Sequence, residues 1–407
     1  MINLETPKKF ELLVGQAHQV ATEVFRPISR KYDVAEHEYP KELDMLASLI
    51  DGMNEGSGMD GAGATGVRRE SHSGGNGENR NGSNLSTVLS IIELCWGDVG
   101  LLLSMPRQGL GNSAIASVAT EEQLERYGGR WAAMAITEPE AGSDSAAIRT
   151  TAELDGDEYV LNGEKIYVTS GERADLVVVW ATLDSSRGRA AIRSFIVERS
   201  NPGMKLDRLE RKLGIRASDT AAFRLEDCRV PKEALLGGSG KDEQDEKQGF
   251  GGAMQTFDNT RPLVAAMAVG VARASLEETS RRLAEAGVRV DYAKPSLGQS
   301  AAGARFLELE ADYEAARLLT LHAAWMADNS KPNSLQASIA KAKAGRTCVE
   351  VALGCVELCG SVGYSENDLL EKWARDAKIL DIFEGTQQIQ LLIVARQLLG
   401  KNSAELK

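Results

Sequence analysis

Histidine and cysteine are scarce in this chain of 407 residues. There are four histidines, His18, His37, His72 and His322, and five cysteines, Cys95, Cys228, Cys348, Cys355 and Cys359. The histidines are scattered and no two cysteines form a CxxC pair, so the ligand spacing of a metal centre is missing. An odd number of cysteines fits no disulfide framework either; reduced, mostly buried thiols in a cytoplasmic protein are expected. Basic residues are outnumbered, 47 Lys and Arg against 59 Asp and Glu, for a net charge of −12, which argues against nucleic acid as a partner. No apolar run reaches the roughly 20 residues that span a bilayer. The N-terminal MINLETPKKFELL lacks the apolar core of a signal peptide.

What is present is globular: 43% hydrophobic and 26% charged residues, enough for a large core and two or three domains. Helical spacing runs through Phe10, Leu12, Leu13, Ala17, Val20, Ala21 and Phe25, and again through Leu43, Met45, Leu46 and Leu49. Residues 52–84 are rich in glycine and poor in apolar side chains, which predicts a loop, either a binding loop or a tolerated surface insertion. Helical patterning returns over 85–95 and 99–103, and TEEQ at Thr120 reads as a capping box closed by Gln123. From Trp131 to about Leu236 the period becomes two. Asn162-Gly163 lies between alternating segments and predicts a hairpin there. After the polar connector 237–248, four long helical segments, 254–282, 301–327, 334–359 and 368–399, predict an antiparallel bundle. The expected organisation is α+β: an N-terminal helical domain over 1–130, a β-barrel domain over 131–240 and a C-terminal four-helix bundle over 241–407.

Two stretches carry chemistry. In ARDAKILDIFEGTQQIQLLIVAR, Glu384 is flanked by apolar residues and followed by Gly385. It reads as a surface glutamate at a helix end, or as a carboxylate whose pKa apolar surroundings raise, as a base facing a weakly acidic carbon requires. AITEPEAGSD at 135–144 reads as a plain β-turn, or as a turn whose N–H groups and Thr137 and Ser143 hydroxyls receive a ring or phosphate oxygens.

These two occur in order with NGEKIYVTSG at 162–171, KLGIRASDT at 212–220 and FDNTRP at 257–262, the second of the two being FEGTQQIQ at 383–390. At these separations the five resemble the acyl-CoA dehydrogenase family of flavoproteins. The resemblance runs from about residue 120 to 400 and more loosely through 1–50. It implies the same helix–barrel–bundle fold, FAD as cofactor, an acyl-CoA substrate and an electron-transfer flavoprotein as partner. Glu384 then matches the base that takes the proton next to the thioester carbonyl, while a hydride leaves the β-carbon for the flavin to give a trans-2-enoyl-CoA. The base's own N–H would donate to the thioester carbonyl. Met134, Ile136, Thr137 and Ser143 match positions lining the flavin, and Ser143 also matches a contact to acyl-CoA. Tyr167, Val168 and Thr169 match a Trp-Ile-Thr element beside the ring, with tyrosine in place of tryptophan. Asp258, Arg261 and Gly385 match substrate contacts, although Arg261 with Asp258 also reads as a structural ion pair. Thr386 and Gln388 match contacts to the ADP half of FAD. No metal is implied.

The chain departs from the family at Glu140, where glycine is common, and at Arg289-Val290-Asp291-Tyr292-Ala293 in place of RKTFG, so that Arg289 either still reaches a pyrophosphate across a subunit boundary or does not. Gly360-Ser361-Val362-Gly363 replaces GGNG, and 52–84 replaces an apolar segment that frames the acyl pocket. A homotetramer built as a dimer of dimers is implied, or a heterotetramer with a paralogous subunit. An acyl-CoA oxidase and a non-catalytic partner subunit are the alternatives to a dehydrogenase. Chain length and branching of the acyl group are not legible.

Overall fold

Pro7 opens a helical turn, Lys8–Phe10, that leads into α1 (Glu11–Val20), a π-helical stretch (Ala21–Phe25) and α2 (Arg26–Val34). The computed structural model describes residues 6–48, 81–107, 110–237, 243–402 and 405, with the backbone alone over 243–259. The periodic apolar residues Ala17, Ala21, Phe25 and Tyr32 are buried on one face of this run. A helix over 42–48 (α3) follows, then α4 (Ser83–Gly97), α5 (Val99–Leu102), α6 (Leu110–Val118) and α7 (Glu121–Tyr127). The capping box of α7 is present: Gln123 N–H donates to Thr120 Oγ1 at 3.3 Å, and Thr120 N–H donates to Gln123 Oε1 at 3.0 Å.

Most of the glycine-rich stretch lies outside the described residues, but its end departs from expectation, because Ser83 and Asn84 are already helical. The reason is a carboxylate from far along the chain. Asp328 accepts from the N–H groups of Gly82, Asn84 and Leu85 at 2.7, 2.9 and 3.1 Å, and so satisfies donors that a helix start leaves open.

Among the described residues seven strands form one curled sheet, a half-barrel: β1 (Ala132–Ala135), β2 (Thr151–Asp155), β3 (Glu158–Thr169), β4 (Leu176–Thr182), β5 (Ile192–Glu198), β6 (Met204–Leu209) and β7 (Thr220–Pro231). The order is β1-β4-β2-β3-β7-β6, with β5 also on β4. Val177 and Val179 of β4 face a core with Leu161, Phe195 and Phe223. Val178 and Trp180 face the other way, toward Ile115 of α6 and Ile196. Burial on both faces explains the unbroken apolar run of this strand.

The hairpin expected at Asn162-Gly163 is not there. β3 runs straight through, and the tight turn is Gly156-Asp157, with Asp155 opposite Glu158. Instead the ladder to β7 shifts register between Leu161 and Gly163. Asn162 Oδ1 accepts from the Asp227 N–H at 2.8 Å, and a Cβ on Gly163 would lie 2.5 Å from Thr150 Oγ1. The Asn-Gly signal therefore marks a bulge over which Thr150 packs.

The C-terminal region is helical: α8 (Glu243–Glu285), α9 (Ala301–Asp328), α10 (Ser334–Tyr364), α11 (Leu370–Leu380) and α12 (Gln387–Leu399). α8 begins eleven residues before the expected start, inside the polar connector, and α10 continues past Gly360 through a kink at φ 56°. Among the described helices α10 has the length and composition to cross a membrane. Its apolar positions Ala340, Ala344, Cys348, Val351 and Cys355 lie in the helical core with Val269 of α8 and Leu309 of α9. All five cysteines are unpaired thiols, four of them buried.

One ionic cluster joins the three regions. Lys372 of α11 is 1% exposed and donates to Asp98, at the start of α5, at 2.7 Å and to Asp376 of α11. Asp98 also accepts from Ser29 of α2 and caps α5 by accepting from the Leu101 N–H at 2.9 Å. Asp376 accepts from the N–H of Ile215, in the loop between β6 and β7. Beside it Arg375 donates to Asp33 of α2 at 2.6 and 2.9 Å and to the Leu213 carbonyl at 3.0 Å. Burial disfavours the Lys372 ammonium, but the two carboxylates outweigh that and hold its pKa above the ordinary lysine value. Replacing Lys372 by Met is expected to cost about 3–5 kcal/mol of stability, because two buried carboxylates lose their cation. Denaturant unfolding checks this, and a loss below about 1 kcal/mol would show that the cluster is not buried in the folded protein.

Candidate active site

Glu384 lies in the break between α11 and α12. α11 ends as Ile382 and Phe383 N–H groups donate to the Ile379 carbonyl at 2.9 and 3.0 Å. α12 restarts at Thr386, whose Oγ1 accepts from the Ile389 N–H at 3.4 Å. Between them Glu384 has φ 52° and Gly385 φ 85°. The left-handed region is open to glycine but costs a glutamate about 1–2 kcal/mol, so the surroundings must hold it. They do so through side chains. Gln390, fully buried, donates from Nε2 to the Glu384 carbonyl at 3.0 Å and to the Gly385 carbonyl at 3.3 Å. Lys341 of α10, 1% exposed, donates to the Gly385 carbonyl at 2.6 Å.

The Glu384 carboxylate turns toward α8. It accepts from the Thr260 hydroxyl, and the Arg261 and Lys341 charges act on it. Burial pushes its pKa above the ordinary glutamate value, and those three groups offset only part of the rise. The Glu384 N–H has no hydrogen-bond partner among the described residues. The apolar flanks are less uniform than the sequence suggested: Leu380 is fully buried, whereas Ile382 and Leu391 are exposed.

A second group of expected residues gathers on the half-barrel. Met134 ends in β1 and Ile136 follows it, both buried, and the Thr137 carbonyl accepts from the Ile166 N–H at 2.9 Å. That bond sets the 137–144 turn beside the end of β3. There the β7 register shifts between Lys165 and Val168, and Tyr167 has φ 57° with 61% of its surface exposed. Val168 points inward, and Thr169 is half-buried. Ser143 is exposed on the turn, as is Glu140, which pairs with Arg149. An exposed aromatic face next to exposed hydroxyls and a buried Met-Ile floor fits a planar heterocycle with polar edges, as a flavin is.

The turn has an ionic footing. Lys165, with no exposure, donates to Glu138 Oε1 at 2.7 Å and to the Ile136 carbonyl at 3.2 Å. Glu138 also accepts from the Arg149 and Thr150 N–H groups at 2.6 and 3.0 Å. Burial lowers the Lys165 pKa to about 8 against the pull of Glu138.

The two groups share one frame. Ser170, just past β3, donates to the Leu103 carbonyl at the end of α5 at 3.4 Å, and α5 is tied to α11 through Asp98 and Lys372. Within one chain Glu384, Gly385, Arg261 and Thr386 come together around the break. Gln388 is exposed on the first turn of α12. Arg289 is not brought to this cluster: it lies exposed beyond the far end of α8, roughly 38 Å of helix from Thr260 at 1.5 Å per residue. The Asp258 side chain lies outside those described, so its pairing with Arg261 has no structural outcome.

Thr260, Lys341, Gln390, Glu138 and Lys165 were not singled out from sequence. One signal was available for Lys341: a lysine on the stripe Ala337, Lys341, Ala344, Cys348, whose other members are apolar and buried.

The family model of the acyl-CoA dehydrogenase middle domain matches residues 133–228, and that of the C-terminal domain matches 247–399. An acryloyl-CoA reductase (NADH) of Anaerotignum propionicum is 32% identical, covering 96% of this chain and 94% of that protein. The butyryl-CoA dehydrogenase structure from Megasphaera elsdenii superposes with TM-score 0.82 at 31% identity, covering 98% of this chain and all of the other. A chain from a structure concerned with the electron transferring flavoprotein of Acidaminococcus fermentans and its electron bifurcation superposes with TM-score 0.81 at 33% identity, with 98% and 100% coverage. On these matches and this architecture, the chain belongs to the acyl-CoA dehydrogenase family, whose members are flavin-dependent oxidoreductases.

Proposed function

We propose that the protein removes the α and β hydrogens of a short acyl-CoA thioester to give a trans-2-enoyl-CoA, with FAD as cofactor and an electron-transfer flavoprotein as acceptor. The observation that carries the reading is the Glu384 carboxylate, half-buried in the break and held by Thr260 with its pKa raised. Butyryl-CoA as the substrate named for one relative supports a short chain, and the bifurcation-related neighbour supports the flavoprotein partner.

Bound FAD supplies the hydride acceptor at the β-carbon. The chain's part is proton chemistry and charge placement. Glu384, in its ionised form, takes the α-proton. Burial makes it a stronger base than a solvated carboxylate, while Thr260 and the nearby cations favour its charged form. As the proton leaves, negative charge grows on the thioester oxygen, and the Glu384 N–H donates to it; such preorganised donors supply several kcal/mol. Met134, Ile136, Thr137, Ser143, Tyr167, Val168 and Thr169 hold the ring, and Thr386, Gln388 and a neighbouring subunit's Arg289 hold the remainder of FAD. Arg261 and Asp258 engage the CoA arm. The assembly is a tetramer of this chain or one shared with a paralogue; exposed Leu391, Leu398, Leu399 and Tyr364 on the bundle support burial against another subunit.

The reductase relative favours one second reading, the same chemistry run backward, with Glu384 as acid protonating the α-carbon of an enoyl-CoA. A raised pKa serves either direction, and the measured direction of net turnover with a flavoprotein donor or acceptor separates them.

Replacing Glu384 by Gln is expected to lower dye-coupled acyl-CoA oxidation by about 10²–10⁴-fold or more while flavin stays bound; full turnover in that variant removes Glu384 from the role. In the forward direction only the ionised carboxylate works, so kcat/KM should rise with pH through a pKa above the ordinary glutamate value. Thr260→Val, which removes a donor to the carboxylate, should move that limb to higher pH. A limb near 4.5 in both proteins would contradict the desolvation of the Glu384 carboxylate.

A further inference from the structure

Among the described residues three lysines are deeply buried, and one differs from the others. Lys165 and Lys372 each meet carboxylates within 2.7 Å, Glu138 and Asp98 respectively. Lys341, as buried as Lys372, has no ion pair among the described residues; its hydrogen bond goes to a backbone carbonyl, that of Gly385. The charged groups facing it are Glu384 and Asp381 from the break after α11, and Arg261 from α8. Those facing Glu384 are Arg261 from α8 and Lys341 from α10, with the Thr260 hydroxyl as direct donor.

A buried ammonium is costly, and methionine would fill the same space without that cost. The ammonium does two things methionine cannot. It fixes the second of two carbonyls in the left-handed Glu384-Gly385 turn, where Gln390 fixes the first and shares the second. It also puts positive charge near a carboxylate whose charged form burial disfavours.

We infer that Lys341 is a positioning residue for the base: its bond to the Gly385 carbonyl aims Glu384, and its charge, set behind the turn, favours the carboxylate form. This rests on the reading of Glu384 as base, and deepens it by naming the group that orients that base and supports its charge. Burial lowers the Lys341 pKa to about 8, with Glu384 and Asp381 opposing and Arg261 assisting, so the ammonium is mostly present at neutral pH and is lost as pH climbs through about 8.

The test uses the flavin-loaded protein with Lys341 replaced by Met, Gln or Arg. In Lys341→Met and Lys341→Gln the acid limb of kcat/KM is expected to move up by about one pH unit or more. kcat at neutral pH should fall by about 10- to 100-fold with KM changed less than threefold. Lys341→Arg, which keeps a charged donor, should hold the limb within a few tenths of a unit. A direct readout is the Glu384 carboxyl titration, followed by infrared pH-difference spectra against Glu384→Gln; its midpoint should rise in the Met and Gln variants. Should the Met variant fail to fold, the Gln and Arg pair carries the same comparison. An unshifted carboxyl midpoint in a folded Met or Gln variant overturns the inference. Undiminished turnover in Glu384→Gln overturns the parent reading instead, so the two failures are distinct.

Discussion

The position of every proposed reacting group traces back to one buried ammonium, Lys372, shared by Asp98 and Asp376. Each carboxylate is also bonded to backbone: Asp98 to the first turn of α5, and Asp376 to the loop that joins β6 and β7. The N-terminal helices, the half-barrel and α11 thus meet at a single point from which water is excluded. A buried ion pair is weak evidence for stability, because desolvation offsets its attraction. Its effect here is directional. It leaves α11 one orientation relative to the half-barrel, and four residues past the end of α11 comes Glu384.

The same physics recurs at the site with a different balance. At the footing of the 137–144 turn, Lys165 and Glu138 are matched in charge and the carboxylate stays below its ordinary pKa, although burial alone would raise it. At Glu384 burial outweighs the donors and the pKa rises. The contrast separates a carboxylate that holds a loop from one able to exchange a proton. The first has its lone pairs filled by Lys165, Thr150 and two backbone N–H groups; the second has Thr260 and more distant charge. Backbone strain points the same way, since Glu384 and Tyr167, on the two halves of the proposed site, both sit at positive φ.

Much of this was legible in sequence, and for identifiable reasons. Helix and strand regions follow from period, the α7 cap from TEEQ, and the family from five ordered motifs. What failed depended on contacts between distant segments. Asn162-Gly163 looks like a hairpin until Thr150 is known to pack over Gly163. The glycine-rich stretch ends two residues early because Asp328, more than 240 positions away, caps α4. Thr260 and Gln390 fall inside two of the five motifs and Lys341 on an apolar helix stripe, but their bonds to the Glu384 break appear only once α8, α10 and α12 pack around it. Arg289 was matched by position in the chain, and it lies beyond the far end of α8, away from the Glu384 break.

The central claim is that one carboxylate exchanges a proton with the carbon next to the thioester. The most direct measurement is deuterium uptake at that carbon when the flavin-loaded protein is held with a short acyl-CoA in heavy water without an electron acceptor. The account predicts exchange with the native protein and none above background with Glu384→Gln. Equal exchange by the two proteins would contradict it.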